Sequence, residues 1–406
     1  MPNHKPSKNS VHIVLKNDQG SLMKRPAGAI AGIGELHPVR RTNGETTLGM
    51  IARVSKLAIE DSGLEIGAID GLLVGPQVGE TPQHVPATIA EYLGMTPRMS
   101  NVVDLGGASG PGMIWRACAA IEAGMADAVL CVLANTREAT PARSPNRNPI
   151  REFDVPFGAS GANTSYAFFM QRHMAEFGSR PEDFANIAAW ARRNAQSNPD
   201  AIFYGKPATV EDVLTSPMIT APLHLFEMVM PVAGGAAVVV VSEKRAAQLN
   251  HPPVHVIGAG EMITHRAVSQ ARSLTSGPLK AAMAQAFRQA GVSPQSMHLL
   301  SLYDCYTCVV AITLEDAGLC PPGGFAELLK GRDLSYLGDL PINTHGGQLG
   351  CGQADLAGGM SHTIEAVRQL RHEANGRQIP KATLALVTGN GATLSEAVAL
   401  VLEGRR

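Results

Sequence analysis

The 406-residue chain has almost no net charge, because 34 Lys+Arg oppose 35 Asp+Glu, a formal −1. That balance removes any general electrostatic case for nucleic acid or an anionic membrane surface as partner. Charged residues make up only 17% against 45% hydrophobic ones, too apolar a mix for a disordered protein. Long apolar runs are missing too: stretches such as AAVVVV at 236–241 fall far short of the ~20 residues that span a bilayer. The polar start, MPNHKPSKNSVHIVLKND, lacks the continuous apolar core of a secretory signal. Cysteines are few and scattered. Cys305 and Cys308 form a C-x-x-C, but no second pair completes a zinc site. No metal is expected, and the reading is a reduced, cytoplasmic protein. The Gly-rich turn at 106–112 has neither G-x-G-x-x-G nor a Lys-Ser/Thr ending, so it fits no dinucleotide or P-loop fingerprint.

What the chain does have is glycine, 42 of them, and a repeated order of elements. AGAIAGIG reads as a strand, and LGMIARVSKLAIEDSGL follows as a helix with apolar residues at helical spacing and a stop at Gly63. IDGLLVG is a buried parallel strand. SNVVDLGGASGPG then runs from strand into a Gly-rich turn, and GMIWRACAAIEAG and ADAVLCVLAN supply a helix and a strand. From 279 the pattern returns: helix, Gly stop and strand to Asp304, a second Gly-rich turn and helix at 346–370, and strands in LALVTGNGATLSEAVALVL. Two copies of one unit predict two pseudo-equivalent α/β halves with a site where their Gly-rich turns meet. The intervening stretch, with amphipathic helices in YAFFMQRHMAEFG and FANIAAWARRNAQSNP, reads as an insertion. The boundaries follow: residues 1–136 plus 226–250 form the N-terminal half, 137–225 the inserted loop domain, and 251–406 the C-terminal half.

Four segments, VDLGGASGPGMIWRA, YDCYTCVVAITLEDAGLCPPG, INTHGGQLGCGQADLAGGMSHTIEAVRQLR and LALVTGNGATLSEAVALVL, resemble the thiolase superfamily, most closely its sterol-carrier-protein-type thiolases. The resemblance covers nearly everything after about residue 27. It implies the α/β thiolase fold, layered αβαβα, a coenzyme A thioester as substrate with no covalently bound cofactor, and a homodimer. A small OB-fold, zinc-ribbon protein is a further partner that the resemblance implies.

The departures from the family bear on function. The nucleophilic cysteine of the family's C-x-S-G turn matches Gly107, followed by Ala108, Ser109 and Gly110. The G-H-P histidine matches Gln353, and the second cysteine matches Val387, before Thr388, Gly389, Asn390 and Gly391. The H-D-C-F segment reads Tyr303-Asp304-Cys305-Tyr306, and D-G-A-A has become Gly234-Gly235-Ala236-Ala237. Ping-pong acyl transfer needs a covalent carrier and a base to release it. Glycine has no side chain, glutamine does not titrate and valine moves no proton, so ordinary thiolysis is excluded.

Three readings remain. The change of histidine to tyrosine is similar to that in thiolase-like retro-aldolases, which cleave β-hydroxyacyl-CoA compounds without a nucleophile. In that reading Tyr303 and Gln353 act through hydrogen bonds and proton transfer, with His345 as a candidate base. The second uses Cys305 or Cys351 as a relocated nucleophile for acyl transfer. The third is a catalytically silent subunit that binds acyl-CoA or supports a partner. Gly107, Ser109, Asp304, Tyr306, Asn343, Gly389, Asn390 and Gly391 are the candidate substrate-binding residues. Cys118, Cys131, Cys308 and Cys320 read as structural.

Overall fold

A computed structural model describes residues 25–76, 84–136, 161–249 and 251–404, with Pro156, Gly158 and Ala159. The loop-like segment TPARSPNRNPIREF lies outside the described residues. The strands in chain order are β1 (Ala29–Glu35), β2 (Gly71–Val74), β3 (Met99–Val102), β4 (Ala128–Asn135), β5 (Met218–Thr220), β6 (Leu223–His224), β7 (Gly234–Val241), β8 (Val254–Ile263), β9 (Leu299–Ser301), β10 (Leu384–Gly391) and β11 (Glu396–Gly404).

Nine of these make one sheet in the order β3-β2-β4-β7-β1-β8-β11-β10-β9. Apart from the edge strand β3, the order is palindromic: β2, β4, β7 and β1 of the first half face β9, β10, β11 and β8 of the second. The seam is antiparallel, with Ala29 opposite His255 and Ile30 opposite Val254. The sheet is mixed. β2 runs parallel to β3 and β4, and β9 parallel to β10, as βαβ connections require. β7 pairs antiparallel with β4 and β1, and β11 with β10 and β8. A continuous buried run such as GGAAVVVV identifies a core strand but leaves its direction open.

The helix Thr47–Ser62 starts where Thr46 Oγ1 accepts from the Gly49 amide and ends at Gly63. It buries Met50, Ile51, Val54, Ala58 and Ile59 against β1 and the strands beside it. Gly32 of β1 lets this helix come close, because a Cβ there would strike the Ala58 carbonyl. The second half repeats the device: a Cβ at Gly258 of β8 would strike the Ala286 carbonyl in the helix Leu279–Ala290. Between the two sheet halves lie the helices Ser109–Glu122 and Ala357–Arg371, packed on each other around Met113, Ile114, Met360 and Ile364. Outer helices, sheet, central helices, sheet and outer helices give the αβαβα section.

The second central helix is buried almost throughout, polar groups included. Its Glu365 accepts from Arg377 Nη2 at 2.8 Å and from Thr344 Oγ1 at 2.7 Å. Its Arg371 Nη1 donates to Asp61 at 2.7 Å. Most of its buried polar side chains are paired, which offsets the cost of burying them; Thr363 Oγ1 and Arg371 Nε are the exceptions among the described residues. The helices Gly161–Phe177 and Pro181–Asn194 and the short β5–β6 ribbon belong to the stretch between β4 and β7. No helix of the described residues is long and apolar enough to cross a membrane.

Candidate active site

Each central helix begins at a Gly-rich turn, and the two turns meet. Gly107 precedes Ser109–Glu122, and Gln353 precedes Ala357–Arg371. A Cβ at Gly359 would strike the Gly107 carbonyl, so the second helix packs directly on the first turn. Beside them opens a cavity of about 640 Å³ with mostly apolar walls, among them Phe203, Phe226, Met228 and Met230. That volume and lining suit a small-molecule substrate.

Tyr303 is the central side chain. It is buried, its amide donates to Thr388 Oγ1 at 3.0 Å, and its hydroxyl accepts from Gln353 Nε2 at 2.8 Å. A Cβ placed on Gly107 would overlap the Tyr303 hydroxyl. The phenol therefore occupies the space that any side chain at position 107 would need. Burial, with Cys305 and Asp355 nearby, holds its pKa well above the usual phenol range, so it keeps its proton and is a donor.

A strap of chain ties these elements together. The Val229 amide donates to the Cys305 carbonyl (3.2 Å), the Gln353 amide to the Met230 carbonyl (2.8 Å), and the Val232 amide to the Gln353 carbonyl (3.0 Å).

Gly107, Tyr303, Cys305, Tyr306, Gln353 and Asn390 all line the cavity. Tyr306 Oη donates to Asn163 Oδ1 at 2.5 Å, and its ring stacks on Tyr166 with centroids 4.1 Å apart. Asn390 Nδ2 donates to Tyr166 Oη at 2.9 Å, while its buried Oδ1 has no partner among the described residues. Cys305 is buried, which pushes its thiol up to about 12.

The other expected residues are placed elsewhere. Ser109 Oγ accepts from the Leu105 amide at 2.9 Å and closes the turn. Asp304 accepts from the Gln348 amide (2.8 Å) and the Leu349 amide (3.2 Å), capping the short helix Gly347–Cys351 beneath the site. Asn343 bridges both backbone groups of Leu302, at 2.8 and 2.9 Å. Gly389 and Gly391 back the first turn, where a Cβ would crowd Ala108 or the Leu105 carbonyl. His345 and Cys351 border a separate cavity of about 60 Å³, shared with Glu35 and Arg368. Burial lowers His345 to about 4 and raises Cys351, whose Sγ lies 3.1 Å from the His345 carbonyl. Among the described residues no His/Cys/Asp/Glu group is placed to hold a metal ion.

Comparison with known proteins sets these turns in context. The family model "Thiolase C-terminal domain-like" matches residues 260–404. A "Steroid side-chain-cleaving aldolase" from Thermomonospora curvata is 32% identical over 91% of this chain and 96% of its own length. The chain belongs to the thiolase superfamily. Within it the likeness is to the sterol-carrier-protein-2-thiolase-like aldolases. A "17-hydroxy-3-oxo-4-pregnene-20-carboxyl-CoA lyase" from Mycobacterium tuberculosis is 31% identical over 84% of this chain and 91% of that protein. The solved "Ltp2-ChsH2(DUF35) aldolase" aligns with a TM-score of 0.85 and 31% identity, covering 95% of this chain and 99% of that one.

Three cavity residues of this superfamily member carried no sequence signal that singled them out. Tyr166 and Arg192 come from the stretch between β4 and β7, and Asp355 from the turn two residues after Gln353. Arg192 is buried, with its guanidinium carbon 3.4 Å from the Phe203 ring centroid and 4.7 Å from that of Phe226. It donates to the Lys206 carbonyl at 3.3 Å, and burial lowers its pKa to about 10, leaving it a cation.

Proposed function

We propose that this chain is a lyase that cleaves the Cα–Cβ bond of a β-hydroxyacyl-CoA in the retro-aldol direction. The observation that carries the reading is the Gly107–Tyr303 pair. Where a thiolase-type acyl carrier would sit there is a protonated phenol, held by the Gln353 amide. Retro-aldol cleavage requires no nucleophile. It requires a base for the β-hydroxyl proton and hydrogen-bond donors for the thioester enolate that the broken bond leaves behind. Tyr303 is that donor, and Gln353 positions it. The unpartnered Asn390 Oδ1 is an acceptor for a polar group of the bound thioester.

The acyl group follows the relatives named above, a polycyclic steroid carrying a short CoA-linked side chain. The apolar walls of the cavity fit it. The partners in this proposal are a second copy of the chain and a small OB-fold zinc-ribbon protein; that the solved relative is an Ltp2-ChsH2(DUF35) aldolase supports a small second protein.

The test incubates the full chain, with and without that small protein, with 17-hydroxy-3-oxo-4-pregnene-20-carboxyl-CoA and follows products by liquid chromatography. A steroid ketone and a shortened acyl-CoA, in equal amounts and much reduced in Tyr303→Phe, are expected. No cleavage under either condition would overturn the reading.

A further inference from the structure

The geometry points to Asp355 as the general base of this cleavage, taking the β-hydroxyl proton through the carboxylate oxygen that faces no donor among the described residues. The inference rests on the retro-aldol reading and supplies the group that reading lacks.

Asp355 is the sole carboxylate among the described residues lining the large cavity, and Arg192 the sole cation. The other titratable groups on that wall hold their protons. Burial raises Tyr166 and Tyr303 far above the ordinary phenol value, raises Tyr306 as well, and lifts Cys305 to about 12. His345, the base expected from the sequence, opens on the other cavity. A proton acceptor within reach of a substrate held by Tyr303 is therefore to be found at Asp355.

Its setting is built. Asn135, buried at the end of β4, donates from Nδ2 to Asp355 Oδ2 at 2.7 Å, which fixes the carboxylate plane. No donor among the described residues reaches Oδ1. The residue also has a φ of 50°, in the left-handed region. That conformation is uncommon outside glycine, though aspartate is among the residues that tolerate it, and it gathers at functional sites. The same turn places Gln353 on the Tyr303 hydroxyl, so the base and the enolate donor are set by one short piece of backbone.

The step balances without water, metal or redox partner. Oδ1 takes the hydroxyl proton and the β-carbon becomes a carbonyl. The Cα–Cβ electron pair moves to the thioester oxygen, where Tyr303 donates. The proton held by Asp355 then returns to Cα, releasing ketone and acyl-CoA.

The test compares wild type with Asp355→Asn, whose carbonyl can still accept from Asn135, and with Asp355→Ala, each in the full chain with the same steroid hydroxyacyl-CoA. Cleavage is expected to fall by about 10²–10⁴ in kcat for Asp355→Asn. Affinity for an analogue lacking the β-hydroxyl should change by less than ~threefold. Added formate should restore Asp355→Ala in a saturable way, and this arm decides the matter if the asparagine variant does not fold. A cleaving wild type beside an Asp355→Asn variant within tenfold of it, or a folded Asp355→Ala that formate does not rescue, would overturn Asp355 as base and leave the retro-aldol reading standing. No cleavage by wild type would instead remove both.

Discussion

Replacing Gly107 by alanine is the sharpest perturbation of this site, because one methyl group meets the proposed reactive phenol. The new Cβ overlaps not only the Tyr303 hydroxyl but also ring atoms Cζ and Cε2, so removing the hydroxyl alone gives incomplete relief. Little around the ring can yield. Its backbone is held by Thr388, and the Gly107 carbonyl is pressed against Gly359. Overpacking of this kind costs ~1–3 kcal/mol, read as a lowered urea midpoint. Displacement of the phenol by about 1 Å should also cost about 100-fold in cleavage rate. The decisive measurement is a double-mutant cycle. On a Tyr303→Leu background the alanine meets a shorter side chain and should cost less than ~1 kcal/mol, a coupling of about 1–2 kcal/mol. Equal costs on both backgrounds, or an alanine variant with unchanged midpoint and rate, would refute the idea that the phenol occupies the space beside position 107.

Three further outcomes are expected. Arg192→Met strands no opposite charge, since no carboxylate pairs with Arg192 among the described residues; the midpoint should hold while acyl-CoA affinity in calorimetry drops about 10–100-fold. Cys305, with a thiol near 12, is on the order of 10⁻⁵ thiolate at pH 7, so iodoacetamide should leave activity intact and Cys305→Ser should keep it within ~threefold. Folding lowers His345 from the ordinary 6.5 to about 4, so between those values the unfolded chain binds the extra proton. Stability should therefore fall as pH drops from 6.5 toward 4, by on the order of 3 kcal/mol in all. His345→Asn should flatten that slope in urea titrations, and an unchanged slope would contradict the assignment.

The fold was legible where local chemistry and period agreed. Helix Thr47–Ser62, with its apolar face and Gly63 stop, and the all-buried β7 are read directly from residues. The direction of β7 and β11 was not legible, because a run of buried valines looks the same parallel or antiparallel. β8 carries no such signal, since Val-Ile-Gly-Ala-Gly lacks the alternation of a half-exposed strand and its glycines answer to a helix packed from elsewhere. In the site, Tyr303 and Gln353 stood out because they occupy motif positions. Cys351 is a candidate by its nearness to Gln353 along the chain, and His345 by its place on a loop that borders the site in the resembled family. Beyond Gly352, at φ 89°, successive residues alternate: Gln353 and Asp355 line the large cavity, whereas Ala354 and Ala357 line the small one with His345 and Cys351. Asp355, Tyr166 and Arg192 share a cavity with Tyr303 only through tertiary packing, at a sequence separation of up to 137, from Tyr166 to Tyr303, and no spacing rule links such positions.

The palindromic strand order bears on how such a site could arise. A duplicated unit, joined at the β1–β8 seam, yields two equivalent turns facing one another across an approximate dyad. An arrangement with that symmetry has no preferred end, and a ligand would find two half-sites related by rotation. The stretch between β4 and β7 has no counterpart between β10 and β11, which are separated by only four residues. Its contribution of Tyr166, Arg192 and the strap to one end breaks the equivalence. One ancestral turn is then free to become the glycine that makes room, and the other to carry amide and carboxylate. A long connection in only one of two equivalent halves thus gives the two turns different surroundings.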